Sequence, residues 1–205
     1  MIVLLDTSQP LGQCAAELGC DVQQLLTPLT RYRLQRPDAP FAIDNGAFSR
    51  FDGKAFEALL EREKHHRENC IFVCAPDVVG SARRTLEVFD RWKSKLHGWK
   101  VALVAQDGQE DLPIPWDEIN AIFVGGSTDW KLSIHAEQVI RAAKALDKWV
   151  HVGRVNTPAR FEYFEKMGAD SIDGTGLSRY SWMREAIYKK LKEPSLFHEQ
   201  YKEMD

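Results

Sequence analysis

Short apolar runs alternate with longer amphipathic stretches along this chain of 205 residues. The apolar runs have the composition of buried β-strands and lie at 2–5, 41–44, 71–75, 101–105, 121–125, 149–153 and 170–173. Apolar residues at helical spacing predict helices over 54–67, 81–96, 132–146, 157–167 and 179–191. Because strands and helices alternate, the sequence indicates a parallel sheet with right-handed crossovers.

Seven strands are predicted, one fewer than a (β/α)8 barrel has, so the sequence alone does not decide whether the sheet closes into a barrel. Barrels of the (β/α)8 type usually have about 250 residues and rarely fewer than about 200. The chain therefore fits a compact α/β barrel, a barrel with one degenerate strand, or an open doubly wound sheet. We favour the TIM-like barrel, because polar residues follow nearly every strand rather than one switch point. We expect a single domain over 1–205, with a mixed helical stretch at 11–26 and an irregular insertion at 28–40.

Composition excludes several classes of function. No apolar run approaches the roughly 20 residues that span a bilayer, and the first run is too short for a signal peptide, so we expect no membrane partner. The four cysteines form no paired CxxC motif, which favours a reduced, cytoplasmic protein. No His or Cys has metal-ligand spacing, and we predict neither a metal nor a cofactor. The net charge of −3 means that nucleic acid would have to bind local basic clusters.

Three aspartates follow predicted strands directly. Asp44, Asp77 and Asp173 each come at or just after the end of an apolar run. Since parallel β/α folds bind ligands at the carboxyl ends of their strands, we expect these side chains around one pocket. Like charges raise one another's pKa, so such a cluster is unfavourable unless chemistry requires it. The pattern favours an enzyme over the alternative that these are ordinary turn residues.

Residues suited to a flat ligand follow other strands. They are an amide and several glycines: Gln106, Gly108, Gly125, Gly126 and Gly153. Glycine lets the backbone approach a ligand closely and leaves N–H and C=O groups available. Together with the carboxylates, these groups match the donors and acceptors of a purine-like base, and Phe48 offers a stacking face.

In their order, these residues resemble motifs of the tRNA-guanine transglycosylase superfamily of (β/α)8 barrels. Asp44-Asn45-Gly46-Ala47-Phe48 is similar to its Asp-Ser-Gly-Gly-aromatic motif, and Asp77 to its second base-binding aspartate. Gln106 and Gly108 resemble its Gln-Gly element, and Gly125-Gly126 its Gly-Gly loop.

Two later segments extend the resemblance. The segment 168–173 is similar to the family's Gly-x-Asp-x-x-Asp, whose last aspartate is the covalent nucleophile. Val152 and Gly153 fall where the family covers the second face of the base. The resemblance implies that Asp173 attacks C1′ and that Asp44 transfers the proton. It also implies that the base is bound by Asp77, Phe48, Asn45, Gln106, Gly108, Gly125, Gly126, Val152 and Gly153.

Departures from the family narrow the expected substrate. The sequence has no Cys-x-Cys-x-x-Cys for the family's structural zinc. Lys131 stands at or near a Glu position of enzymes that take an aminomethyl base, and a cation there would not favour that substrate. The short chain resembles the compact DpdA-type deazapurine DNA-modification proteins. That branch implies exchange of guanine in DNA for a 7-deazaguanine such as 7-cyano-7-deazaguanine, with tRNA as the alternative polymer.

Phosphate contacts are expected from six arginines: Arg31, Arg33, Arg36, Arg154, Arg160 and Arg179. The sequence does not decide whether a protein partner delivers the nucleic acid. It also leaves two alternative functions: an N-glycosidase, which would hydrolyse the glycosyl intermediate, and a binding module without activity. Asp6 fits a pocket residue and a turn residue equally well. His151 alternates with valines, and this pattern favours packing over catalysis.

Overall fold

The structure is a computed structural model that describes residues 1–192, and residues 193–205 of the predicted domain lie outside the described residues. Eight parallel strands pair in chain order and close into a barrel, which confirms the predicted (β/α)8 architecture. Closure occurs between the first and last strands, where Leu4 pairs with Asp173. The strands are β1 (Ile2–Leu5), β2 (Val22–Leu26), β3 (Phe41–Ile43), β4 (Cys70–Cys74), β5 (Val101–Ala105), β6 (Ala121–Val124), β7 (Trp149–Val152) and β8 (Ser171–Asp173).

Helices follow most strands, and several begin at side-chain caps. Asp52, Ser81 and Thr157 each accept hydrogen bonds from backbone N–H groups of the first helical turn. The helices are α1 (Leu11–Leu18), α2 (Gly53–Glu63), α3 (Ala82–Trp92), α4 (Thr128–Lys131), α5 (Ile134–Ala145), α6 (Pro158–Lys166), α7 (Thr175–Arg179) and α8 (Ser181–Lys192). Within residues 1–192, every helix is too short or too polar to traverse a lipid bilayer.

The prediction of a helical stretch over 11–26 is wrong in its second half. Helix α1 ends at Gly19, which has a φ of 70°, and β2 follows. Gln23 and Gln24 made this strand look polar, but both side chains are buried and hydrogen-bonded. The side chain of Gln24 donates to Arg33 O (2.8 Å) and accepts from Gln35 N (2.8 Å). Together with the seven predicted strands, β2 completes the eight strands of the barrel.

The insertion at 28–40 replaces the helix between β2 and β3. It is irregular, as predicted, and returns the chain to the amino-terminal end of β3. The guanidinium of Arg36 donates to Val22 O (2.7 Å), at the start of β2. The insertion therefore runs along the barrel wall and provides the buried glutamines with their partners.

Two apolar layers hold the barrel together. The larger layer packs the outer faces of the strands against the helices. The smaller layer fills the barrel interior with alternate strand residues, namely Leu4, Leu25, Ala42, Phe72, Cys74, Ala102, Val104 and Ala121. Within the described residues, this layer fills the barrel interior and leaves room for a ligand above it, at the carboxyl ends of the strands.

Candidate active site

A cavity of about 500 Å³ opens at the carboxyl ends of the barrel strands. Its volume lies within the range of small-molecule sites. Four carboxyl groups from different strand ends line it: Asp6, Asp44, Asp77 and Asp173. The barrel thus brings together the three aspartates singled out in the sequence and adds a fourth.

The cavity contains about half of the residues proposed from the sequence. Its lining includes Asp44, Asn45, Phe48, Asp77, Gln106, Gly125, Arg154, Asp173 and Arg179. The remaining proposed residues do not line it: Gly108, Gly126, Val152, Gly153, Arg31, Arg33, Arg36 and Arg160.

Asp77 is held rigidly by two amide side chains. Asn45 donates to Asp77 Oδ1 (2.9 Å), and Gln106 donates to Asp77 Oδ2 (2.7 Å). Gln106 is itself fixed, because its Oε1 accepts from Gly80 N (2.9 Å). Burial raises the pKa of Asp77, while these two hydrogen bonds oppose the rise. The carboxyl group therefore presents its remaining lone pairs to the cavity in one orientation.

Asp44 is an acid that titrates near neutrality. Burial raises its pKa to about 7, and the charges of Asp173 and Asp77 contribute to the rise. Hydrogen bonds from the backbone N–H groups of Asn45 and Gly46 act in the opposite direction. A carboxyl group with such a pKa can both donate and accept a proton at neutral pH.

Each carboxylate oxygen of Asp173 has a hydrogen-bond partner. The backbone N–H of Arg154 donates to Oδ1 (3.0 Å), and His151 Nε2 lies 3.0 Å from Oδ2. His151 is fully buried inside the barrel. The sequence alone did not reveal this contact, because a histidine that alternates with valines has the same pattern whether it packs or binds.

Arg154 closes one side of the cavity. Its guanidinium donates to the carbonyl oxygens of Gly125 and Gly126 and lies over the Phe48 ring. The N–H groups of the two glycines both donate to Ala105 O. The expectation that this backbone stands free for a ligand is therefore wrong: its N–H groups are used within the sheet, and Arg154 occupies its carbonyls.

Packing explains why both positions of this loop are glycine. A Cβ atom on Gly125 would lie 2.6 Å from Val104 Cγ1. A Cβ atom on Gly126 would lie 2.5 Å from both Asp107 Oδ1 and a ring carbon of Trp130. The glycines let the loop pack tightly against its neighbours, and Gly125 also lines the cavity.

Two other cationic residues, Arg36 and Lys131, do not line the cavity. Arg36 binds the start of β2, so it lies at the end of the barrel opposite the cavity. Lys131 is buried, donates to Gly153 O, and does not line the cavity. Burial and the charge of Arg154 lower the pKa of Lys131 to about 8. Since Lys131 does not face the cavity, its charge does not directly disfavour an aminomethyl group there.

Asp6, which the sequence left open, is a cavity residue. Its Oδ1 accepts from Thr30 Oγ1 (2.7 Å). Burial raises the pKa of Asp6, and among nearby charges Arg179 lowers it while Asp173 raises it. The insertion thus contributes to the site through Thr30 rather than through Arg36.

Comparisons with known proteins give no family assignment. No protein-family model matches the chain, and no curated protein matches it. One similar solved structure is a cube-shaped, highly porous protein cage designed by fusing symmetric oligomeric domains. It has 15% sequence identity, covers 97% of this chain and 74% of that chain, and has a TM-score of 0.46. This likeness bears on neither substrate nor chemistry.

Proposed function

We propose that the protein is a guanine transglycosylase that exchanges guanine in a nucleic acid for a 7-deazaguanine. The observation that carries the proposal is one cavity lined by carboxyl groups in three different settings. Asp77 is clamped by amides, Asp44 titrates near pH 7, and Asp173 has a hydrogen-bond partner at each carboxylate oxygen. Carboxyl groups with distinct environments are how enzymes separate binding, acid and nucleophile roles.

In this mechanism, a carboxylate oxygen of Asp173 attacks C1′ of the target nucleotide. The C1′–N9 bond breaks, its electron pair leaves with N9, and Asp44 donates a proton to the departing guanine. The incoming base then gives its N9 proton to Asp44 and attacks C1′, which releases Asp173. The pKa of Asp44, at about 7, suits both directions of proton transfer.

Base recognition fits the remaining cavity residues. The fixed Asp77 carboxylate can accept from the N–H and NH2 groups of a guanine edge. Phe48 has 62% of its surface exposed, which leaves ring area for stacking. Stacking of a base on an aromatic ring typically contributes about 1–3 kcal/mol.

The polymer would approach across the rim of the cavity. Arg154 and Arg179 supply positive charge there. Next to Arg179, Tyr180 and Trp182 form a stacked and exposed aromatic pair. Exposed aromatic rings beside arginines suit single-stranded or flipped nucleotides, whose unstacking requires a few kcal/mol. The preference for DNA over tRNA rests on the resemblance to the compact branch.

A base-exchange assay tests the proposal. The protein is incubated separately with DNA and tRNA in the presence of 7-cyano-7-deazaguanine, and the digested nucleosides are measured by mass spectrometry. We expect the modified nucleoside in DNA and no product with Asp173→Asn, a variant that keeps the side-chain size. Release of guanine without incorporation would instead indicate hydrolysis. Turnover by Asp173→Asn would remove the nucleophile role.

A further inference from the structure

A chain of buried polar groups lies directly behind Asp173 inside the barrel. It consists of Trp149, Ser171 and His151, and it ends at Asp173 Oδ2. His151 and Ser171 pair across β7 and β8, and Asp173 follows Ser171 by two residues, so these side chains share the inner face. His151 and Ser171 are both fully buried. Because the interior cluster of alternate strand residues described above is apolar, this polar chain beside it requires a reason.

Hydrogen-bond directions follow from the donor at the start of the chain. Trp149 Nε1 can only donate, so Ser171 Oγ accepts from it (2.8 Å). The Ser171 hydroxyl then has one proton to give, and His151 Nδ1 lies 2.9 Å away. If Nδ1 accepts this proton, the neutral imidazole carries its own proton on Nε2 and donates it to Asp173 Oδ2.

The opposite tautomer satisfies fewer groups. With the proton on Nδ1, His151 would donate to Ser171, and the Ser171 hydroxyl proton would need another acceptor. Within residues 1–192, Ser171 Oγ has no partner besides Trp149 and His151. His151 Nε2 would also face Asp173 as an acceptor, which requires a protonated carboxyl group. The first arrangement pairs every donor with an acceptor.

We propose that His151 is a positioning residue for Asp173, locked as the Nε2–H tautomer by Ser171 and Trp149. This role rests on the proposed function, in which Asp173 is the nucleophile. Donation from His151 to Oδ2 and from the Arg154 backbone to Oδ1 fixes the plane of the carboxylate. Each oxygen keeps a lone pair for attack, and the two donors stabilise the carboxylate without neutralising it.

Packing supports the same orientation. The imidazole ring lies 5.1 Å from the Phe72 ring and 4.6 Å from the Phe123 ring, measured between centroids. These contacts prevent ring rotation, so the tautomer decides which proton faces Asp173. They also mean that phenylalanine can replace His151 without leaving a void, which provides a variant that lacks both the Nε2 donor to Asp173 and the Nδ1 acceptor for Ser171.

The tautomer can be measured without any substrate. Long-range ¹H–¹⁵N NMR on protein with ¹⁵N-labelled histidine separates Nε2–H from Nδ1–H imidazoles. The His151 signals are assigned by their loss in His151→Gln, since the sequence has six histidines. We expect a neutral Nε2–H ring. We expect Trp149→Phe to keep this tautomer but to broaden the NMR signals of His151. An Nδ1–H ring would overturn the proposed relay.

The positioning role is tested by the rate of covalent adduct formation with a guanine-containing oligonucleotide. We expect His151→Phe to slow adduct formation by about 10²-fold, as removal of one positioned donor does, with unchanged affinity for the oligonucleotide. His151→Gln, which retains a donor, should recover most of this loss. Equal rates for wild type and His151→Phe would overturn the role. Absence of adduct in the wild type would instead refute the proposed function, while the NMR result would still decide the tautomer.

Discussion

The guanidinium carbon of Arg154 lies 4.3 Å from the centroid of the Phe48 ring. Stacked rings need roughly 3.5 Å on each side, so no base fits between these two groups. The same guanidinium donates to the carbonyl oxygens of Gly125 and Gly126. Arg154 is thus a flat donor group on an aromatic face, with chemistry like that of the N1–H and NH2 edge of guanine. A base that uses this face of Phe48 must displace it.

Removal of Arg154 should therefore strengthen the binding of the free base. We expect Arg154→Ala to bind guanine about 3–10-fold more tightly in calorimetry, because the apparent affinity no longer includes displacement of the side chain. Arg179→Ala is the control, since Arg179 also lines the cavity, whereas the guanidinium that lies over the Phe48 ring belongs to Arg154. Weaker binding by Arg154→Ala would mean that the guanidinium itself contacts the base.

Asp44 should make stability depend on pH. Its pKa is about 7 in the folded protein and about 3.9 in an unfolded chain, so between these values the folded state binds the extra proton. The free energy of unfolding therefore falls as pH rises from about 4 to 7. Asp44→Asn removes this penalty, and we expect stabilisation of roughly 2–4 kcal/mol at pH 8 and at most about 1 kcal/mol at pH 4.5.

Urea unfolding at several pH values measures the Asp44 effect. Asp38→Asn is a matched control, because Asp38 is exposed in the insertion, and we expect it to change stability little at either pH. An Asp44→Asn variant whose gain is the same at pH 4.5 and pH 8 would show that packing, and not titration, causes the stabilisation.

The alternation of strands and helices predicted the barrel because both signals are local in the sequence. The strand β2 was missed because its buried glutamines find their partners in the insertion, at positions such as Arg33 and Gln35. Long-range partners of this kind leave no periodic pattern. The one sequence feature that indicated this strand was the pair Gln23-Gln24 inside a short apolar run.

The candidate site was predictable to the extent that strand ends define it. Asp44, Asp77 and Asp173 meet in one cavity because parallel strands of a barrel all end at the same face. The partners of Asp173 depend on strand register, which places His151 opposite Ser171. Register and side-chain rotamers, such as that of Arg154 over Phe48, come from tertiary packing and could not be derived from the sequence.

Gln106 should control base binding through Asp77. Gln106→Glu has the same shape but loses the donor 2.7 Å from Asp77 Oδ2 and places a second carboxyl group there. We expect weaker base binding at pH 8, by at least about 10-fold, with recovery at pH 5 as the two carboxyl groups share a proton. Gln106→Met removes the donor without adding charge, so its loss should not depend on pH in this way. Titration calorimetry at both pH values distinguishes the two, and equal pH dependence would contradict the electrostatic explanation.

Arg184 should stabilise the packing of α8 against α1 and α7, on the side of the barrel where α7 contributes residues to the cavity. This buried guanidinium donates to Glu17 Oε2 (2.6 Å), Gln9 Oε1 (2.6 Å) and Leu177 O, so it joins α8 to α1 and α7. Arg184→Met keeps the apolar volume but removes the guanidinium donor that these three acceptors share, and we expect a loss of about 2–4 kcal/mol in urea unfolding. Glu17→Gln keeps a hydrogen-bond acceptor and should lose less than half as much. Because α7 carries cavity residues, Arg184→Met should also weaken oligonucleotide binding, whereas a stable variant with unchanged binding would show that α8 does not support the site.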